Sequence, residues 1–206
     1  AAFQTMAEAG HRLEVNPDDE DGSHSLAEII EVSFAALRTD EARRAIINLS
    51  IFRPKPNTFS KDIARQVAGT EANVLYDLSD IGLIEHYGDG EYTMHRVIAE
   101  YARTRLPLTE SQQLHHLAVN YYARQLQQGI DDNPVAYLGW YRYEQTDWQA
   151  TKDAWLYHLA HSGNAVSSVL AFLRVYFDAF WWWGYYQRFP FCERLLLEWQ
   201  QRRSVD

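Results

Sequence analysis

The sequence has one β-hairpin motif, and its other apolar residues recur at helical spacing. Of all its features, this combination restricts the possible folds most. Gly88-Asp89-Gly90 separates two short runs, residues 83–87 and 91–94, and a glycine turn between such runs is typical of a β-hairpin. Elsewhere the apolar residues follow the three- and four-residue steps of amphipathic helices. The sequence therefore predicts a mainly α-helical protein with one small β-hairpin.

The composition indicates a globular protein of a reducing compartment. Of the 206 residues, 47% are hydrophobic, which is enough for a sizeable core. The only cysteine, Cys192, cannot form an internal disulfide, and no segment has the pattern of a secretory leader, so we expect a cytoplasmic location. The most apolar run, residues 169–186, contains Arg174 and Asp178. We interpret it as a core helix and expect no membrane association.

Caps and helix breakers predict several short helices around the hairpin. The predicted starts are Ser25, Thr39 or Asp40, Ser60 and Thr70, the stops are Pro54, Gly69 and Gly82, and a last helix covers about residues 96–105. Short helices, a hairpin and a helix in this order are typical of a winged helix, a variant of the helix-turn-helix. We assign it to residues 24–106, after an N-terminal stretch with an acidic linker at residues 1–23.

After Pro107 the pattern is helical throughout. A second capping-box match lies at residues 109–112, and further helices are predicted over residues 135–143, 147–161, 165–183 and 188–203. Short connections between helices favour antiparallel pairs. Residues 107–206 are therefore predicted to form an antiparallel helical-repeat segment similar to tetratricopeptide (TPR) repeats.

The sequence lacks the motifs of common enzymes and metal sites. It contains no phosphate-binding P-loop, no Gly-x-Ser-x-Gly elbow, no His-Glu-x-x-His and no cysteine pair. His158 and His161 are three apart on a predicted helix, but no carboxylate or cysteine stands at matching spacing, and the neighbours His115 and His116 point in different directions. We therefore expect no catalysis, metal or cofactor in this chain, and interpret these histidines as solvated.

His95 stands between the second hairpin strand and the helix that begins near Arg96. A helix N-terminus offers free backbone amides and the positive end of the helix dipole, so an adjacent imidazole could help to hold a phosphate. The alternative is an exposed histidine at a strand end. The spacing of the residues alone does not distinguish these two interpretations of His95.

Charge argues against DNA binding by the winged helix. The chain has 19 Lys and Arg against 28 Asp and Glu, a net charge of −9. The helix that would enter the major groove, residues 71–81, contains Glu71, Asp77 and Asp80 but neither Lys nor Arg. Base recognition and phosphate docking both need donors. We therefore interpret the winged helix as a protein-packing module.

The aromatic block at residues 180–186 has two interpretations. Adjacent rings can form a ligand cage, whereas consecutive residues on a helix face different directions and are more often packed between repeats. An exposed member would mark a partner surface. The candidates for that surface are Trp181, Trp182, Trp183, Tyr185 and Tyr186.

Four stretches together resemble the winged-helix segment of the NB-ARC class of STAND nucleotidases, which are multidomain signalling switches. They are Ser25-Leu26-Ala27-Glu28-Ile29-Ile30-Glu31-Val32-Ser33-Phe34, Leu49-Ser50-Ile51-Phe52, Leu78-Ser79-Asp80-Ile81-Gly82-Leu83-Ile84 and Tyr92-Thr93-Met94-His95-Arg96-Val97-Ile98-Ala99-Glu100-Tyr101-Ala102. Residues 144–150 and 180–196 are more loosely similar to the helical repeats of bacterial members. The family's Met-His-Asp motif falls on Met94, His95 and Arg96, so the chain departs from it at Arg96.

The resemblance implies a regulatory role within a larger protein. In relatives the histidine at the position of His95 reaches the phosphates of ADP, which an upstream nucleotidase domain holds. That domain, ADP or ATP in the parent protein, and an unknown protein or ligand at the repeats are the implied partners. We expect the chain to be cut from such a switch, with repeats continuing past Asp206. A winged-helix transcription regulator and a freestanding helical-repeat adaptor are the alternatives.

Overall fold

The computed structural model describes residues 26–138, 141–181 and 189–203, and the chain divides into two compact units, residues 1–111 and residues 112–206. The backbone is mainly α-helical, with one three-stranded antiparallel sheet in the first unit. The predicted mainly α-helical class is thus confirmed. Of the helices in these ranges, none combines the length and the apolar content that crossing a bilayer requires.

Short helices and the small sheet make up the first unit. In chain order its elements are α1 (Leu26–Ala35), α2 (Asp40–Leu49), β1 (Phe59–Ser60), α3 (Lys61–Ala68), α4 (Ala72–Asp80), β2 (Glu85–His86), β3 (Glu91–Thr93) and α5 (Arg96–Arg103). Helix α1 begins directly after Ser25, which itself lies outside the described residues.

Local signals set several helix ends as predicted. The Thr39 side chain accepts a hydrogen bond of 3.1 Å from an amide in the first turn of α2, and Gly69 ends α3 at a φ of 66°. Thr70 was expected to cap α4, and this prediction is wrong. The N-cap is Glu71, because the Thr70 hydroxyl donates instead to the Glu41 carboxylate.

The sheet has the strand order β1-β3-β2, with both pairs antiparallel. The predicted hairpin joins β2 to β3, and Gly88 and Gly90 adopt φ values of 89° and 77° at its turn. Such left-handed conformations are readily available only to glycine. Strand β1 was not predicted, because it has two residues and pairs with a distant segment, Phe59 lying opposite Tyr92.

The first unit has an apolar core, and one arginine links two of its backbone segments. Fully buried members include Ile46, Leu49, Ile63, Leu75, Leu78 and Tyr92. Arg103 Nε and Nη2 donate to the carbonyl oxygens of Ser50 and Phe52, at 2.6 Å and 2.7 Å. These bonds satisfy carbonyls beyond the end of α2 and fix α5 against that segment.

The second unit is helical in all its described elements. They are most of α6 (Leu108–Asp132), a 3-10 helix (Tyr141–Glu144), α7 (Thr146–His161), α8 (Ala165–Ala179) and α9 (Pro190–Arg203). Its core contains many aromatic rings. The buried members are Tyr143, Trp148, Leu156, Phe172, Val175, Ala179, Phe191, Cys192 and Leu195.

Two predictions for the second half need correction, and a third falls partly outside the described residues. Helix α6 already begins at Leu108, so Thr109 lies inside the first turn and is not its cap. The helix predicted over residues 135–143 is wrong at residues 135–138, because Asn133 Oδ1 accepts a bond of 3.3 Å from the amide of Ala136 and stabilises a turn there, and residues 139–140 lie outside the described residues. Helix α8 ends at Ala179, and residues 182–183 of the predicted helix lie outside the described residues.

Candidate functional site

His95 occupies the junction between β3 and α5. Its side chain is exposed, whereas that of its neighbour Met94 is 1% exposed. The Met94 carbonyl oxygen accepts a hydrogen bond of 2.9 Å from the amide of Lys55, which fixes the backbone just before His95. His95 is the N-cap residue of α5, with an extended backbone. The junction thus presents one exposed imidazole at a helix N-terminus.

The capping bond determines which imidazole nitrogen of His95 carries the proton and can act as a donor. His95 Nδ1 accepts a hydrogen bond from the amide of Val97 at 3.4 Å. A ring nitrogen that accepts has no proton, so the neutral ring carries its proton on Nε2. The Nε2–H group and the N-terminal end of α5 together form an arrangement suited to an anion.

Arg96 has a partner on its own helix. Its Nε donates to Glu100 Oε1 at 2.7 Å, one turn further along α5. This bond, followed by the attraction of the Glu100 charge, raises the pKa of Arg96. Both side chains are largely exposed. The residue that departs from the family motif therefore forms an ion pair on the outer surface of α5.

Two of the four histidines that we expected to be solvated are buried. His115 on α6 is 4% exposed and His158 on α7 is 2% exposed, with their Nδ1 atoms 2.8 Å apart. The prediction is wrong for this pair because each ring packs against the other and against neighbouring aromatic rings. His116 and His161 are exposed, as predicted. Within the described ranges, no three His, Cys, Asp or Glu residues form a group able to hold a metal ion.

The aromatic block is described only in part. Trp181 is 68% exposed, whereas Trp182, Trp183, Tyr185 and Tyr186 lie outside the described residues. On α8, just before this block, the two faces differ. Phe172, Val175 and Ala179 are buried, and the opposite face exposes apolar side chains at steps of three and four residues. The exposed members are Val166, Leu170, Leu173 and Phe177.

This exposed stripe was not predicted from the sequence. The interpretation of residues 169–186 as a core helix holds for only one face of α8. The signal was present, because apolar residues occupy both faces of the segment and a surface helix normally has one apolar face. An exposed apolar stripe of this kind is typical of an interaction surface.

Helix α4 presents an acidic and polar surface. Asn73, Tyr76, Asp77 and Asp80 are its exposed side chains. Arg65 on α3 is bound to Glu71, the N-cap residue of α4, at 2.7 Å. The geometry therefore gives no support to a duplex-binding face on α4.

Comparison of the chain with protein-family models, curated proteins and solved structures gave no match.

Proposed function

We propose that the chain is the winged-helix and helical-repeat segment of a STAND-type signalling nucleotidase, a regulatory and non-catalytic part of that protein. The observation that carries the proposal is the position of His95. It is exposed, it caps α5 directly after β3, and its Nδ1 is engaged by the Val97 amide. An exposed histidine at the start of this helix is what the Met-His-Asp resemblance implies for a phosphate-contacting residue.

The element order supports the winged-helix part of the proposal. Helices α2 to α4 precede the β2–β3 hairpin, and α5 follows it. Strand β1 stands before α3 and completes a three-stranded antiparallel sheet. In this proposal the hairpin is the wing and α4 is the helix that a DNA-binding relative would place in the groove. Its acidic surface favours contact with protein instead.

His95 would act on ADP bound by the upstream nucleotidase domain. Its Nε2–H group would donate a hydrogen bond to a phosphate oxygen, and the N-terminus of α5 would add the favourable end of its dipole. Arg96, paired with Glu100, would remain on the outer face of the helix. The winged helix would thus close the switch on ADP, and its release would accompany activation.

The second unit would serve as the sensor. Consecutive helices α7 and α8 are separated by Ser162, Gly163 and Asn164, and so short a connection favours an antiparallel pair, as in TPR-like repeats. The exposed apolar stripe of α8 together with Trp181 would receive a protein partner. Binding there would reach the winged helix by rigid-body movement.

The test is ADP retention in the full-length parent protein. His95→Ala removes one hydrogen bond to a charged group, so ADP should dissociate about tenfold faster. His86→Ala is the matched control, since His86 is also exposed and lies on β2 of the same sheet. Release of a fluorescent ADP analogue measures the rate. Equal rates for His95→Ala and the unmodified protein would remove His95 from the nucleotide site.

A freestanding helical-repeat adaptor is the second candidate, and the exposed stripe of α8 favours it. The mass of the native gene product in its source cells separates the two. A product much heavier than a 206-residue chain supports the nucleotidase, whereas one of that size supports the adaptor. A transcription regulator has no comparable observation in its favour, and duplex binding that weakens steeply with salt would restore it.

A further inference from the structure

Arg142 lies between an aromatic pair and a carboxylate in the second unit. Its guanidinium carbon is 5.2 Å from the ring centre of Tyr143 and 5.5 Å from that of Trp148. Arg142 Nη2 is 4.0 Å from Asp178 Oδ2 on α8, and the Tyr143 hydroxyl donates to the same oxygen at 3.3 Å. The 3-10 helix therefore places this guanidinium beside both α7 and α8.

Two more cations stand one helical turn from these contacts. Lys152 follows Trp148 by one turn of α7, and its Nζ lies 4.2 Å from the ring centre of Trp155. Arg174 precedes Asp178 by one turn of α8 and is exposed. Residues one turn apart share a helix face. Arg142, Lys152 and Arg174 are named below as the cation cluster.

The three cations act on one another electrostatically. Burial, and then the charges of Arg142 and Arg174, lower the pKa of Lys152 to about 8. Among the described residues, Asp178 is the carboxylate that opposes this shift. Three cations therefore act on the same part of the second unit, where Arg142 and Asp178 form an ion pair, in a chain whose net charge is −9. Such a local excess in an acidic protein favours an anionic ligand.

We propose that the cation cluster binds a phosphate dianion, either free or as the terminal group of a phosphorylated small molecule. A dianion can contact more than one of these cations and gains more from their combined charge than a single carboxylate does. Guanidinium groups suit phosphate because their forked donors can bind two of its oxygens. The site lies in the second unit and is separate from His95, so it adds a ligand to the proposed function.

Inorganic phosphate is the probe, titrated into the full chain by calorimetry at fixed ionic strength, with acetate as the monoanion comparison. Phosphate should bind more tightly than acetate. Lys152→Met and Arg174→Gln should each weaken phosphate binding about tenfold, because each removes a hydrogen bond to a charged group. Lys61→Met is the matched control, since Lys61 also lies over an aromatic ring, that of Tyr76 at 5.3 Å.

Asp178→Asn should change the phosphate affinity in the opposite direction. The amide keeps an acceptor for the Tyr143 hydroxyl but removes the opposing charge, so phosphate should bind several-fold more tightly. A general effect of lost stability would not produce this gain. Carbon-13 labelling at lysine Cε gives a second readout, in which phosphate should raise the pKa of Lys152.

Two results would overturn the proposal. One is phosphate binding no tighter than acetate binding. The other is equal phosphate affinity for Lys152→Met, Lys61→Met and the unmodified chain. Glycerol 3-phosphate distinguishes the source of the ligand: tighter binding than inorganic phosphate supports the proposal with a phosphorylated small molecule, and equal binding supports it with free phosphate.

Discussion

The two units differ in what they bury. In the described part of the first unit, the buried polar residues are Asn48, Ser50, Thr70 and Thr93, none of which titrates. The second unit buries His115, Asp153 and His158, and its apolar core includes Tyr143 and Cys192, whereas the titratable residue in the first unit's described core is Tyr92. Burying an ionisable group costs free energy unless it is paired, and the cost changes with pH.

This difference separates two ways of holding helices together. Arg103 stabilises the first unit through backbone carbonyls, which keep the same charge at every pH. In the second unit, α6 and α7 meet through the ring nitrogens of His115 and His158. Their contact depends on which protons are bound. We therefore expect acid to act mainly on the second unit.

Removal of the central indole of the second unit should have the largest effect. Trp148 is 5% exposed, and its ring centre lies 4.8 Å from that of Tyr143 and 6.2 Å from that of Phe191. Trp148→Ala should lower the free energy of unfolding by about 3–5 kcal/mol in urea titrations, through lost burial and a residual cavity. Trp181→Ala is the control, because its 68% exposed ring should cost less than about 0.5 kcal/mol. A loss for Trp148→Ala no larger than the loss for Trp181→Ala would show that the aromatic core contributes little to stability.

Acid should weaken the histidine contact. With the Nδ1 atoms 2.8 Å apart, one proton fits between them, so the folded pair takes up one proton where two unfolded histidines take up two. The groups in ring contact with the pair are Tyr122 from α6 and Tyr157 and His161 from α7. Because the unfolded state then binds more protons, stability falls as pH drops below the ordinary histidine pKa of about 6.5.

The size of this acid effect follows from one excluded proton. Between about pH 7.5 and about pH 5.5 the unfolding equilibrium constant should rise about tenfold more in the unmodified chain than in His158→Asn. The asparagine oxygen can still accept from His115 Nδ1, in either charge state of that ring. His116→Asn, at an exposed neighbour, should behave like the unmodified chain. Equal acid sensitivity of His158→Asn and His116→Asn would contradict the shared-proton geometry.

Alkali should act on the same unit through Tyr143. Burial raises the pKa of Tyr143 to about 12 from its ordinary value of 10.0. The folded state therefore keeps a proton that the unfolded state loses, so this stabilisation is present below pH 10 and is lost as pH rises towards 12. At about pH 11 the unfolding constant should have risen about tenfold more than in Tyr143→Phe. Parallel pH profiles for the two proteins would exclude Tyr143 as the source.

What the sequence could predict depends on how far apart the interacting residues are. The helix start at Thr39 or Asp40, the Gly82 stop and the Gly88–Gly90 turn were predicted because a cap or a positive φ is decided within a few residues. The His115–His158 contact was missed because it joins residues 43 apart, and no spacing rule reaches that far. The exposure of Trp181 also depends on what packs nearby, which composition does not specify.

The same distinction between local and distant contacts applies to His95. Its position at the start of α5 follows from the hairpin and from the residues beside it, so the sequence placed it correctly. Its tautomer required coordinates, because the Val97 amide that binds Nδ1 is set by the helical backbone. The Arg96–Glu100 pair could have been predicted from its four-residue spacing.

The smallest predicted effect concerns two helix starts in the first unit that look alike in sequence. Thr39 and Ser60 are both hydroxyl residues at N-cap positions with extended backbones. Thr39 Oγ1 accepts from an amide of α2 at 3.1 Å, whereas the Ser60 side chain makes no capping bond. Ser60 also belongs to β1, opposite Glu91, so its position is held by the sheet.

Thr39→Ala should therefore lower the free energy of unfolding by about 1 kcal/mol, and Ser60→Ala by clearly less. Urea titrations at neutral pH measure both changes. Neither variant removes a titratable group, so the pH profile of each should remain parallel to that of the unmodified chain. Equal losses would mean that the capping bond of Thr39 contributes nothing beyond the side chain itself. A changed acid slope in either variant would mean that the first unit also responds to protons, against the contrast between the two units.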